Sequence, residues 1–298
     1  MSAIKGHLAA GCAYTIFGIN IIACKDIAAC GLIPPIAIFT FRALGASVLF
    51  WLISLFLPKE KVPFRDILKI AVASFLGLFV TQLSFLCACS RTTAIDISIL
   101  STLTPIFTMF VAAIAVKEKI TPKKAFGVAL SFTGILFLIL NTASNSNGVE
   151  KSSVWGILLM MLNALSFASY LGIFRPLISK YSVVTFMKWM FLCSLLISLP
   201  FSASDILTVP YAAIPSKVVL ELAFLIVMAT FVSYFLIPIG QKNLKPTLVG
   251  MYSYLQPIIA CIIAVSTGMD SFTWQKILAT AMVASGVVIV STLPDKKV

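Results

Sequence analysis

Residues 100–140, LSTLTPIFTMFVAAIAVKEKITPKKAFGVALSFTGILFLIL, align without a gap on residues 252–292, YSYLQPIIACIIAVSTGMDSFTWQKILATAMVASGVVIVST, at a constant offset of 152. Nine positions are identical: Ser101/Ser253, Leu103/Leu255, Pro105/Pro257, Ile106/Ile258, Ala112/Ala264, Thr121/Thr273, Lys124/Lys276, Ala129/Ala281 and Gly134/Gly286. A segment that recurs once, late in each half of a chain, is the mark of an internal duplication. Weaker echoes precede it: Gly6, Phe17 and Lys25 fall opposite Gly156, Phe167 and Arg175, and Arg42 falls near Lys188.

Around this repeat the chain is too apolar to be a soluble domain. Of 298 residues, 60% are hydrophobic and 11% charged, and the mean hydropathy is +1.07. Apolar runs of about 20 residues match a bilayer core of ~30 Å. They predict spans near 7–24, 34–57, 67–88, 94–116, 122–140, 154–174, 183–204, 217–239, 246–267 and 272–293. The fold class read from this is an all-α integral membrane protein. Its ten transmembrane helices form two five-helix repeats, residues 1–140 and 154–298, with residues 141–153 (NTASNSNGVEKSS) as linker. An odd number of spans per repeat inverts the second copy relative to the first, an arrangement on which many secondary transporters are built around a central cavity.

The net charge of +12 sorts by side. Fifteen of the 22 Lys and Arg residues fall on the side of the termini, five (Lys25, Arg91, Lys151, Lys217, Lys276) on the other, and Arg42 and Lys188 within spans. The bias puts both termini in the cytoplasm, so basicity here is a topology signal and nucleic acid is not the expected partner. Lys5 ahead of an apolar run resembles a signal peptide, but the repeat requires the first span, which is read as uncleaved. The seven cysteines are scattered without a CxxC and read as buried free thiols; Cys24 and Cys30 are the pair worth testing for a disulfide. No cofactor or metal site is expected. The absence of an Asn-x-Ser/Thr sequon favours a bacterial cell membrane.

Local chemistry assigns further roles. Thr121 and Pro122 suit the N-cap and first position of the fifth span; Asp270 or Ser271 is offered for the same task in the tenth, making Glu118 and Asp270 structural residues of helical hairpins through capping and local charge pairing with the neighbouring lysines. Pro105 and Pro257 remove helical hydrogen bonds near the midplane, giving a kink or a free carbonyl, the kink being favoured. Gly127/Ser131/Gly134 and Ala281/Ser285 suit close helix contact, within the bundle or between copies.

Pro105, Glu118, Thr121, Lys124, Gly127 and Gly134, repeated as Pro257, Asp270, Thr273, Lys276, Ala279 and Gly286, together with Phe41-Arg42, resemble the EamA-type branch of the drug/metabolite transporter superfamily. Asp270 and Ala279 depart from the Glu and Gly usual there. The resemblance implies a ten-helix basket whose cavity is lined mainly by helices 1, 3, 4, 6, 8 and 9, with helices 5 and 10 bracing the periphery. It also implies transport of small metabolites, often amino acid export.

Polar groups at bilayer depth must face a cavity or a partner helix. On that ground the candidates for lining the cavity are Tyr14, Asn20, Gln82, Ser101, Thr104, Asn163, Tyr170, Ser233, Tyr234, Tyr252 and Gln256. Hydroxyl back-bonding to the residue's own helix is the competing reading. Neutral hydrogen-bonding groups mixed with aromatic rings suit a zwitterionic or uncharged solute. Arg42 and Lys188 could gate opposite mouths, attract a carboxylate, or snorkel. Every acid lies in a loop or near a helix end, so facilitated diffusion or exchange is expected ahead of proton coupling, with Asp96 and Glu221 the first acids to neutralise if coupling exists. A nucleotide-sugar or organophosphate exchanger and a drug exporter are the rivals within transport; a channel or a membrane-embedded enzyme are the rivals outside it. A monomer is expected, a homodimer the alternative. Because both halves share the prolines and hairpins, substrate choice is assigned to positions that differ, Thr104 against Gln256 and Thr102 against Tyr254.

Overall fold

The computed structural model describes residues 2–104, 106–107, 110–111, 121–144, 152–243, 252, 255–270 and 273–292. Pro105, Glu118, Ser253, Tyr254 and Ser271 lie outside them. Among the described residues every regular element is helical. In chain order they are α1 (Ser2–Cys30), α2 (Pro35–Ser54), α3 (Phe64–Cys89), α4 (Ala94–Ser101), α5 (Pro122–Ser144), α6 (Val154–Ile173), α7 (Val183–Thr208), α8, α9 (Leu255–Ser266) and α10 (Trp274–Thr292). α8 is continuous through Ser216–Phe224, Leu225–Val232 and Ser233–Asn243, and a short helix, Arg175–Lys180, joins α6 to α7.

Side-chain caps and prolines set the helix starts. Thr93, Ser153 and Ser182 accept the N–H of Asp96, Gly156 and Thr185, and α2, α3 and α8 each begin directly after a proline. Gly31 and Gly268, at φ 69° and 70°, take the left-handed turn after α1 and α9, where a side chain would be strained. α1 outruns the predicted span at both ends, and Lys5, His7, Lys25 and Asp26 are all helical. Charged residues bound the apolar stretch, but hydrogen bonding carries the helix past it. Similarly α5 continues through residues 141–144 into the segment read as linker.

Five described helices are long and apolar enough to cross a membrane: Ile4–Cys30, Pro35–Ser54, Phe64–Cys89, Val183–Thr208 and Ser216–Ile237. Within α5, α6 and α9, Ala125–Gly134, Val154–Tyr170 and Leu255–Ser266 are further apolar stretches. The polarity of α2 is inside out. Leu44, Val48 and Leu52 project from the protein, whereas Thr40, Arg42 and Ser47 are buried. An apolar exterior with polar groups turned inward is the distribution a hydrocarbon solvent requires.

Helix contacts follow a rule. α1 packs on α8 and α9, and α6 packs on α3 and α4; α2 packs on α8, and α7 on α3. The pairs α2/α7, α4/α9 and α5/α10 pack on each other. Replacing each helix by the one five places along the chain leaves these principal contacts unchanged. α2 and α7 run antiparallel, since Thr40 meets Ser198 and Ser202 while Trp51 meets Trp189. α5 and α10 do the same, with Gly127 against Gly286 and Ile289, and Gly134 against Ala279, Met282 and Val283.

That α5–α10 seam answers the question of the small residues. Ser131 Oγ donates to Val283 O at 3.2 Å, so the contact is within the bundle, and on α10 it is made by Ala279, Val283 and Gly286. Ala281 and Ser285, read from sequence as suited to contact within the bundle or between copies, are exposed and take no part in this seam. The helix turns by about 100° per residue, and their neighbours rather than they lie on the facing stripe.

Candidate solute-binding site

Residues separated by the repeat offset of 152, which also separates Pro63 and Pro215 at the starts of α3 and α8, meet in the interior. Gln82 Nε2 (α3) donates to the Tyr234 hydroxyl (α8) at 2.9 Å, and the two are 152 positions apart, the offset of the repeat. Ser131 and Val283 are separated by the same number. A two-fold relation between halves passes through such self-equivalent contacts.

Beside this pair both helices widen into π-helical turns, Phe75–Val80 in α3 and Leu225–Val232 in α8. A π turn is rare, frequently functional, and leaves carbonyls off the regular ladder. Hydroxyls and an amide take them up. Thr81 and Ser166 both donate to Leu76 O at 2.8 Å, Thr230 donates to Leu225 O at 2.7 Å, Ser233 to Met228 O at 3.0 Å, and Asn163 Nδ2 to Thr81 O at 2.7 Å. Gly77 is needed in α3 because a Cβ there would come within 2.5 Å of the Tyr170 ring.

These contacts divide the sequence candidates. Asn163 and Ser233 brace the π turns, Ser101 and Thr104 bond back to Ser98 O and Ser101 O (2.8 and 3.3 Å), and Tyr170 is packed on α3. Asn20 accepts from Cys24 Sγ at 3.7 Å. Tyr252 shares a 2.9 Å hydrogen bond with His7 Nδ1, and the backbone of Gln256, with Pro257 beside it in α9, closes on Gly18 of α1. Around Tyr234 stands an aromatic cluster: Phe191 at 5.5 Å, Phe17 at 6.2 Å, and Tyr14 at 6.1 Å from Phe17. Gln82 and Tyr234 are thus in contact and Tyr14 joins them through Phe17, whereas Tyr252 lies towards the end of the bundle where α1 begins.

Arg42 does not snorkel. It is 3% exposed, and its Nε donates to Thr230 Oγ1 at 2.8 Å. Thr230, a polar residue of the eighth predicted span, lies 188 residues from Arg42, and no local signal pairs the two. Lys188, at the opposite end of its helix pair, lies over the Trp51 ring at 4.7 Å, a cation–π contact across α2 and α7.

The end of the bundle away from the α1 start is held by charge. Lys276 pairs with Asp270 at 2.7 Å, approaches Asp96 at 4.0 Å and donates to Thr93 Oγ1 at 3.2 Å; Asp270 Oδ2 accepts Ile95 N–H at 3.1 Å. Ser152 donates to Asp96, and buried Lys25 donates to Thr92 O at 3.0 Å. Asp270 makes the local charge pair expected of it, with Lys276, but not the cap. The cap of α10 is Thr273, whose hydroxyl accepts Lys276 N–H at 3.4 Å, while Asp270 reaches across to the start of α4 in the other half. The opposite end carries Asp66 with Lys180 and Tyr181, and Glu60, which accepts both Ser182 N–H (3.1 Å) and its hydroxyl (2.9 Å). Residual burial pushes the Glu60 carboxyl up, but hydrogen bonds from Thr185 and Ser182 and the charge of Lys188 outweigh it and hold the group below its ordinary range.

Apolar helices in two exchangeable halves, closed around an interior of polar and aromatic groups, define a polytopic membrane protein of the transporter type. The chain belongs to the EamA-like transporter family, whose model matches residues 4–140 and again 154–292. It is similar to YetK, an uncharacterized transporter of Bacillus subtilis, at 23% identity over 76% of this chain and 68% of that one. The uncharacterized inner membrane transporter YicL of Salmonella typhimurium is 25% identical over 76% of this chain and 74% of its own. A shorter match, 27% identical over 39% of this chain and 32% of the relative, is to the thiamine-repressible mitochondrial transport protein THI74 of Saccharomyces cerevisiae. A solved crystal structure shares the fold, with a TM-score of 0.66, 16% identity and coverage of 99% of this chain and 100% of that one.

Proposed function

We propose that this chain is a ten-span secondary transporter of two inverted five-helix repeats that moves small zwitterionic organic solutes, amino acids or close relatives, by alternating access. The repeats are residues 1–140 and 154–298, both termini are cytoplasmic, the membrane is a bacterial cell membrane, and the working unit is a monomer. The observation that carries the reading is the bond between repeat-equivalent Gln82 and Tyr234. An axis in the membrane plane relates inverted repeats, so a self-equivalent contact falls at the midplane, where such transporters bind their cargo. The antiparallel runs of α2 with α7 and α5 with α10 support inversion.

The groups near that contact are an amide, phenols and aromatic rings, with one guanidinium. Ring faces receive an ammonium, amide and phenol take hydrogen bonds, and little fixed charge must be neutralised. The contacts of Lys276, Asp270 and Lys25 with the α4 start then act as a latch on the external face, to be broken when the site opens outward. Movement is by facilitated diffusion or exchange, since the described acids lie in loops or towards helix ends. Counterflow in proteoliposomes tests the proposal. Purified protein loaded with an unlabelled amino acid mixture should accumulate labelled amino acid transiently and saturably. Flux that never saturates would mean a channel, and turnover without flux an enzyme.

A further inference from the structure

Arg42 is a buried cation that forms no ion pair among the described residues. Its Nε is held by Thr230, but Nη1 is buried and has no hydrogen-bond partner among them. The described acids nearest in kind are committed elsewhere: Asp26 and Glu221 to Lys217, Asp66 to Lys180, Asp96 and Asp270 to Lys276, and Glu60 to Ser182. A guanidinium does not shed its proton, and an unpaired charge in the interior costs several kcal/mol, so this arrangement calls for an anion from outside the protein.

The side chain is aimed at the central pair. α2 and α8 run parallel, with Gly45 opposite Ile226 and Phe50 opposite Phe231, so Arg42, at the level of the residues just before Ile226, must reach forward along α8 to meet Thr230. Tyr234 is one turn further on along α8. A lone guanidinium with a buried, unpartnered N–H matches a single carboxylate; a phosphate or diphosphate would be expected to draw several cations.

We infer that Arg42 Nη1 takes the carboxylate of the transported solute beside the Gln82–Tyr234 pair. The inference rests on the solute-transport reading above and adds to it the chemical group that the solute must carry. It differs from a gating or structural role for Arg42, because it requires discrimination between an acid and its amide.

The test uses the purified full chain, in thermal melts with L-threonine, L-leucine and L-phenylalanine, their carboxamides, hexanoate and inorganic phosphate. At least one amino acid should raise Tm while its carboxamide does not. Arg42→Gln should weaken that response roughly tenfold to a hundredfold in apparent Kd, the loss of one charge-assisted hydrogen bond, and Arg42→Lys should retain part of it. If Arg42→Gln does not fold, the acid-against-amide contrast in wild type and the reduced response of Arg42→Lys decide the matter. Equal response to acid and amide, an undiminished response in Arg42→Gln, a response to phosphate alone, or no response to any carboxylate overturns the inference. Hexanoate acting through Arg42 while no amino acid does would keep the anion site and sink the amino acid reading. Amino acid counterflow unchanged in Arg42→Gln would do the reverse.

Discussion

Replacing Gly127 by alanine sets two effects of opposite sign against each other. In an exposed helix the change would stabilise by about 0.5–1 kcal/mol, because alanine loses less backbone freedom on folding. At the α5–α10 seam the added Cβ would stand 2.7 Å from Gly286 O and 2.9 Å from Ile289 Cγ2. The first obstacle is backbone, so no rotamer relieves it, and the helices must separate by several tenths of an ångström along a close contact. Overpacking of this kind costs about 1–3 kcal/mol, which leaves a net loss of roughly 1–2 kcal/mol. For a chain of this size that is a fall in Tm of about 2–8 °C, read by thermal melts of purified protein. Gly286→Ala should fall further, since its Cβ would meet Gly127 O and both Ser131 Oγ and Ser131 N, the last at 2.9 Å; adding Ser131→Ala should recover only part. Thr133→Ala, exposed on α5, is the control and should stay within about 0.5 kcal/mol of wild type. A Gly127→Ala protein as stable as wild type, or more so, would refute the seam.

Tyr234→Phe removes the acceptor of Gln82 Nε2 and should cost about 1–3 kcal/mol, with counterflow depressed more than Tm; Gln82→Leu combined with it should lose less stability than the single change. Lys276→Met leaves two buried carboxylates without their cation and should lower stability by about 3–5 kcal/mol, and Lys276→Met/Asp270→Asn should restore part in the same melts. Glu60 has a folded-state pKa below its unfolded value, so it contributes stability above the ordinary carboxylate range and loses it as pH falls through the folded value. The Tm gap between wild type and Glu60→Gln should accordingly be present at pH 7 and close on acidification, and a gap that widens instead would contradict the assignment.

Much of the fold could be read before any coordinates, because apolar length is a local property. The predicted starts at 94, 122, 154 and 183 coincide with α4, α5, α6 and α7, where Thr93, Pro122, Ser153 and Ser182 supply a cap or a first-turn proline. Ends were harder to read at α1 and α5, since nothing in an apolar pattern says how far a hydrogen-bonded helix runs into polar sequence. The site divided along the same line. Gln82, Tyr234, Tyr14 and Arg42 were named from residue type and depth; the first two meet, Tyr14 joins their aromatic cluster through Phe17, and Arg42 is held by Thr230, one turn from Tyr234. Ser101, Thr104, Asn163 and Ser233 were named by the same rule, and their donors go to backbone carbonyls, while Asp270, named as a hairpin residue, pairs with Lys276 and reaches the start of α4.

What the sequence by itself determined is the class: apolar stretches matched to a bilayer, a repeat at offset 152, and the residue types that can be buried only at a cost. Those follow from composition and spacing, which the chain carries without folding. Tertiary structure alone decided where the π turns form, that Thr230 holds Arg42, that Asp270 reaches α4, and which stripe of α10 meets α5. Each of these depends on which face of one helix meets another more than a hundred residues away. A periodicity that is nearly uniform in hydrophobicity, as in these spans, carries no mark of that face.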